Sequence, residues 1–255
     1  MVGAIAGDII GSRFEVIPTK SYEFELFSTL NTYTDDTVLT IAIADAILSG
    51  DSYSKKLREY GLNYPDAGYG GTFIQWIMGE IQGPYNSFGN GSAMRVSPIG
   101  FAYKNKEKVL EEAKKSAEIS HNHPEGIKGA QATALAVFLA CQQVDKNYIR
   151  QEIAETFEYD MNRTLEDIRP DYHFEISCQN SVPESIIAFL ESTDYEDAIR
   201  KSISLGGDSD TMACITGAIA QAYYKTIPEN IVKNIYSMIP ESFKKTIILF
   251  EEKYL

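Results

Sequence analysis

The sequence predicts an all-α protein, and three observations carry the prediction. Apolar residues recur at helical spacing along nearly the whole chain, strand-like alternation is scarce, and glycine and proline punctuate the periodic segments. The periodicity places helices over about 2–13, 35–49, 53–62, 71–80, 91–104, 106–120, 124–142, 147–157, 183–191, 194–204, 208–225, 229–238 and 241–252. In the first of these, Gly3, Gly7 and Gly11 recur every fourth residue, a smooth stripe against which another backbone can pack closely. Asp8 and Glu15 share a face if that helix extends far enough. The helix over 35–49 stops at Gly50, the next at Gly61 and the one after at Gly79. Pro124, Pro183 and Pro228 fit near helix starts, with His123 or Asn122 as the cap before Pro124. The stretch 158–182 mixes charge with Tyr172 and Pro170 and reads as a long surface connection. The expectation is one compact, orthogonal multi-helix domain over 1–255.

Composition excludes several function classes. With 44% hydrophobic and 23% charged residues the chain is an ordinary globular one, but its net charge of −13 argues against general nucleic-acid binding. An anionic ligand would need local help from metal ions, helix N-termini or a placed arginine. Cys141, Cys178 and Cys214 form no C-x-x-C pair and are expected to be reduced packing residues. The N-terminal apolar run is short and contains Asp8, and no run approaches the ~20 apolar residues of a membrane span. A cytoplasmic protein without membrane partners is expected, and the residues give no handle on oligomeric state.

The chemistry concentrates in a signature that occurs twice. Thr34-Asp35-Asp36-Thr37 and Asp208-Ser209-Asp210-Thr211 each open a strongly apolar helix. Asp and Thr favour N-caps, but a cap needs one acceptor and each start offers several. Crowded carboxylates repel unless protons or a cation compensate. Oxygen-only ligands suit Mg²⁺ or Mn²⁺, so the pair is read as one shared site, the ligands of a binuclear centre. Ser87-Phe88-Gly89-Asn90-Gly91-Ser92 forms a loop whose backbone amides can approach an anion, although it lacks the Lys-Ser/Thr ending of a P-loop. Gly68-Tyr69-Gly70-Gly71-Thr72 is a similar loop before a helix. Arg95 has two roles open to it, pairing with buried carboxylates or reaching a ligand. His121 has the same choice between packing and ligand contact, whereas His173 reads as a surface residue.

Taken in order, Gly7-Asp8-Ile9-Ile10-Gly11-Ser12, the Thr34–Thr37 cluster, Gly89-Asn90-Gly91-Ser92-Ala93-Met94-Arg95, Ser120-His121 and Gly206-Gly207-Asp208-Ser209-Asp210-Thr211 resemble the ADP-ribosylglycohydrolase family. The resemblance implies an all-α fold with two Mg²⁺ ions at the base of a cleft. It implies Thr34, Asp35, Asp36, Asp208, Asp210 and Thr211 as metal ligands. Gly70, Gly71, Ser87, Gly89, Asn90, Gly91, Ser92 and His121 would hold ADP-ribose, with Phe88 stacked on the adenine. Asp35, Asp36 or Asp210 would move protons, while Asp8 supports the first helix or a metal ligand. Glu15 matches the spacing of a glutamate that gates the site in members cleaving serine-linked ADP-ribose, which favours O-linked over arginine-linked substrates. The function implied is Mg²⁺-dependent removal of mono-ADP-ribose from an acceptor. The rival class, a module that binds ADP-ribose without turnover, would have no need of both acidic clusters.

Overall fold

Helices that are apolar around their whole circumference must be enclosed, and those with one polar face must lie outside. The computed structural model describes residues 1–255 and follows that rule with fifteen α-helices. They are α1 (Val2–Val16), α2 (Asp35–Ser49), α3 (Tyr53–Asn63), α4 (Gly71–Ile77), α5 (Gly91–Met94), α6 (Ser97–Ala102), α7 (Lys106–Ala117), α8 (Pro124–Cys141), α9 (Lys146–Phe157), α10 (Leu165–Ile168), α11 (Cys178–Leu190), α12 (Tyr195–Ile203), α13 (Ser209–Tyr224), α14 (Glu229–Met238) and α15 (Glu241–Tyr254). Helices α1, α2, α8, α11 and α13 are buried along most of their length. One continuous cluster of buried hydrophobics runs from Met1 to Phe250, with Cys178 and Cys214 inside it.

The glycine stripe of α1 lies on α13. A Cβ at Gly7 would stand 2.0 Å from the carbonyl oxygen of Ala213, and one at Gly11 would stand 2.5 Å from that of Ser209. No side chain fits there, so the two backbones touch. That contact puts the acidic start of α13 beside the C-terminal half of α1. Asp8, fully buried in α1, in turn receives the backbone N–H groups of Thr34 and Thr37, both at 3.0 Å, and their hydroxyls. A carboxylate at the start of α2 satisfies donors that the helix cannot.

Four expectations are corrected. The helix over 91–104 is two, α5 and α6. Pro98 has no N–H to give Met94, and that carbonyl instead accepts from Thr40 Oγ1 at 3.3 Å and Cys214 Sγ at 3.5 Å. Gly61 is no stop: it lies inside α3, where a Cβ would meet Ile77 Cδ1 at 2.5 Å. Pro183 lies within α11, which opens at Cys178 because Phe88 supplies the acceptor for the Cys178 N–H at 2.9 Å. Finally, 158–182 is more than a surface connection. Thr164 and Asp167 form a capping box that starts α10, and Tyr159, Met161, Leu165 and Ile168 are buried. Gly50 and Gly79 do adopt the positive φ that ends a helix, and His123 caps α8 through its side chain.

Candidate active site

The two acidic starts are not capped alike. Thr34 is the N-cap of α2 and accepts from Asp36 N at 3.3 Å, whereas Asp208, at the N-cap of α13, makes no side-chain cap bond. Its carboxylate is therefore free to face elsewhere. Gly206, at φ +67°, and Gly207 turn the chain into α13, and a Cβ on Gly207 would stand 2.4 Å from Tyr172 Cε1. Lys20 holds this turn in place by donating to the carbonyls of Arg169, Tyr172 and Leu205.

These starts form one wall of a cavity of about 560 Å³. Thr34, Asp35, Asp36, Asp208, Asp210, Thr211 and Glu15 all line it, together with Gly70, Gly71, Ser87, Gly89, Asn90, Gly91 and His121. Residues far apart in sequence thus share one chamber. Thr211 Oγ1 donates to Asp36 Oδ2 at 3.2 Å, and Asn90 Nδ2 donates to Asp208 Oδ2 at 2.7 Å. Single carboxylate oxygens of Glu15, Asp208 and Asp210 lie within 4.8 Å of one another. Helix α1 reaches far enough to put Asp8 and Glu15 on this side. No lysine, arginine or histidine pairs with any of these acids.

Electrostatics follow from the crowding. Burial, reinforced by Asp8 and Asp208, pushes Asp35 up to about 8. Burial raises Asp8 to about 6 despite its threonine donors. Asp36 and Asp210 are driven well above the usual carboxylate range, first by burial and then by their acidic neighbours. Glu15, at the exposed rim, is raised by partial desolvation and by Asp208 and Asp8. One oxygen, Asp36 Oδ1, is buried with no hydrogen-bond partner at all. An orphaned carboxylate oxygen among carboxylates and hydroxyls fits a hard divalent cation, and the donor set is all oxygen.

Two residues expected at the ligand are not part of the cavity lining. Ser92 is fully buried behind the loop and donates to Gly126 O at 2.7 Å. Phe88, 49% exposed, lies outside the cavity lining with its ring edge-on to His123. His173 is exposed, as expected. Arg95 takes neither of its two roles in simple form: fully buried and pairing with no carboxylate, it donates from Nη2 to Ser116 O and Ser120 Oγ, yet it lines the cavity. Sequence reasoning missed Tyr85, Phe174 and Ile176, which also line it. The signal for Phe174 and Ile176 was faint. Their segment is fixed to the glycine loop by a lone bridge between Gly89 and Ser177, which periodicity does not register. No helix is long and apolar enough to cross a membrane.

The chain is similar to known proteins along most of its length. The chain is 27% identical to the ADP-ribosylhydrolase ARH3 of Mus musculus, over 99% of this chain and 87% of that protein. It is 29% identical to the ADP-ribosylhydrolase ARH3 of Xenopus tropicalis, over 90% and 88% respectively. It also shares its fold with a solved chain described as an ADP-ribosylglycohydrolase-related protein complex, at a TM-score of 0.78 and 20% identity, covering 100% of this chain and 96% of that one. The sequence profile described as ADP-ribosylglycohydrolase matches residues 1–252, and the chain belongs to that family of glycosidic-bond hydrolases.

Proposed function

We propose that the protein is a Mg²⁺-dependent hydrolase that frees ADP-ribose from a mono-ADP-ribosylated acceptor, with O-linked acceptors preferred over arginine-linked ones. The observation that carries the reading is the convergence of two acidic helix starts and a glycine-rich loop on one cavity. Thr34, Asp35, Asp36, Asp208, Asp210 and Thr211 would hold two divalent ions, with Mn²⁺ able to replace Mg²⁺. Such ions supply Lewis acidity when bound, lowering the pKa of a water and orienting ribose hydroxyls.

The remaining work falls to the chain itself. The Gly89–Gly91 loop and the Gly70–Gly71 loop offer backbone amides, and His121 a ring nitrogen, to the diphosphate. Phe88 stands half-exposed beside the cavity to stack on adenine, and Phe174 adds an apolar face within it. Hydrolysis adds water at the anomeric carbon, breaks the bond to the acceptor and returns one proton to the leaving atom. Asp35, Asp36, Asp210 and Glu15 are the groups available for that proton. Glu15 stands at the exposed rim with a carboxyl held above its usual range, where it can gate entry and exchange a proton with the acceptor side.

The test is release of free ADP-ribose from serine-linked, arginine-linked and O-acetyl substrates, with Mg²⁺ and then with EDTA. Mg²⁺-dependent release, fastest from an O-linked substrate, is expected. Tight ADP-ribose binding without release from any of them would favour a binding module instead.

A further inference from the structure

Behind the glycine loop lies a chain of hydrogen bonds that leads from a buried cation to a ligand-facing nitrogen. Arg95 Nη2 donates one hydrogen to Ser116 O at 3.0 Å and the other to Ser120 Oγ at 2.9 Å. Ser120 Oγ lies 2.8 Å from His121 Nδ1. Arg95 and Ser120 are fully buried, and His121 is 6% exposed. A guanidinium has only donors, so Ser120 must accept from it. The serine proton then needs an acceptor, since a buried hydroxyl without one is costly. Arg95, His121 and Tyr85 surround this hydroxyl; Arg95 can only donate, and Nδ1, at 2.8 Å, is the acceptor within hydrogen-bond distance, so Nδ1 takes the proton and Tyr85 is the competing acceptor. Nδ1 is thereby the bare nitrogen, and Nε2 carries the hydrogen.

Nε2 is aimed at the ligand side. A Cβ on Gly91 would stand 3.2 Å from it and one on Gly89 3.8 Å, so the nitrogen faces the loop at two positions that have no side chain. Its ring makes its one hydrogen bond through Nδ1, and the residue lines the cavity. Protonation of the ring is opposed by burial and by the Arg95 charge. Tyr85, whose ring centroid lies 5.8 Å from the imidazole, is the other titratable group facing it.

We propose that Arg95, acting through Ser120, fixes His121 in its Nε2–H tautomer, making it a donor to an acceptor-only oxygen of a ligand at the Gly89–Gly91 turn, of the kind a phosphate presents. Arg95 and Ser120 are positioning residues here. The choice of probe rests on the reading of this cavity as the ADP-ribose site; the tautomer itself does not.

The experiment is two-bond ¹⁵N–¹H spectroscopy of the full-length labelled protein, which has 3 histidines, with His121→Asn identifying the signal. The expected spectrum shows Nε2 protonated and Nδ1 bare, unchanged between about pH 5 and pH 8. A protonated Nδ1 would overturn the inference, because Ser120 would then be giving its proton to Tyr85. In Ser120→Ala the tautomers should mix, and ADP-ribose affinity should fall about fivefold, the worth of one ordinary hydrogen bond. A folded Ser120→Ala protein with an unchanged spectrum and affinity would also overturn it. If that variant does not fold, the wild-type spectrum still decides. Failure to hydrolyse any substrate would sink the functional reading while leaving the tautomer result standing, so the two can fail separately.

Discussion

Asn90 donates from Nδ2 to Asp208 Oδ2 across 2.7 Å, tying the glycine loop to the second acidic helix start over 118 residues of sequence. The amide is therefore committed to aiming a carboxylate, which leaves the loop its backbone amides to offer a ligand. Groups that orient a metal ligand typically change metal affinity by 10–100-fold when removed. Asn90→Ala should weaken Mg²⁺ binding by at least about tenfold, with little change in ADP-ribose affinity at saturating Mg²⁺. Calorimetric titration measures both, and an unchanged Mg²⁺ affinity would contradict the assignment.

Removing a ligand from the crowded cluster should separate stability from activity. Asp210→Asn or Asp35→Ala should abolish turnover and the thermal stabilisation given by Mg²⁺. Each relieves a charge that is repelled in the metal-free protein. Measured in EDTA at pH 8, melting temperatures at or above wild type are therefore expected, with helical circular dichroism retained. Full activity in either variant would sink the metal hypothesis.

Burial of these acids, reinforced at Asp35 by its acidic neighbours, sets a pH dependence. The folded protein holds protons on Asp8 up to about 6 and on Asp35 up to about 8, against a usual 3.8. Over that interval the folded state binds more protons than the unfolded one, so stability falls as pH rises. The melting temperature of EDTA-treated protein should drop by roughly 5–10 °C from pH 5 to pH 8. Mg²⁺ competes with protons for these oxygens, so it should raise the melting temperature more at pH 8 than at pH 5. A flat or rising profile without metal would show that the acids are not held in this way.

Contact between α1 and α13 depends on atoms that are missing. Gly7→Ala would force a methyl group to within 2.0 Å of Ala213 O. Backbone cannot yield as a side-chain tip can, so a loss of about 3 kcal/mol or more is expected. Thermal denaturation should show a fall of roughly 6–12 °C. Gly50→Ala, where a Cβ meets nothing within 4 Å but φ is +74°, should cost only about 1 kcal/mol.

Phe174 and Ile176, 52% and 55% exposed, project into the cavity without supporting the core. Phe174→Ala should raise KM for an ADP-ribosylated substrate by about three- to tenfold and leave the melting temperature within a degree or two. A loss of stability with no change in KM would place the ring in the fold rather than the site.

Local order was legible in the chain wherever short-range chemistry decides it. The all-helical class, the start of α8 at Pro124, the stops at Gly50 and Gly79 and the doubled acidic signature all rest on neighbours a few residues apart. Periodicity failed where a distant partner intervened. Thr40 and Cys214 accept the consequence of Pro98 by bonding the Met94 carbonyl, and Phe88 lets α11 begin five residues before Pro183.

Which residues carry oxygen ligands, and which carry no side chain, can be read along the chain. That they meet is a property of the folded molecule. The glycine stripe of α1 brings α13 to backbone contact, Asp8 fastens α2 to the same helix, and the bridge at Gly89 draws Phe174 and Ile176 into the cavity wall. Each of these is a contact between segments far apart in the chain. Its energy depends on fit across space, and one-dimensional spacing does not encode fit.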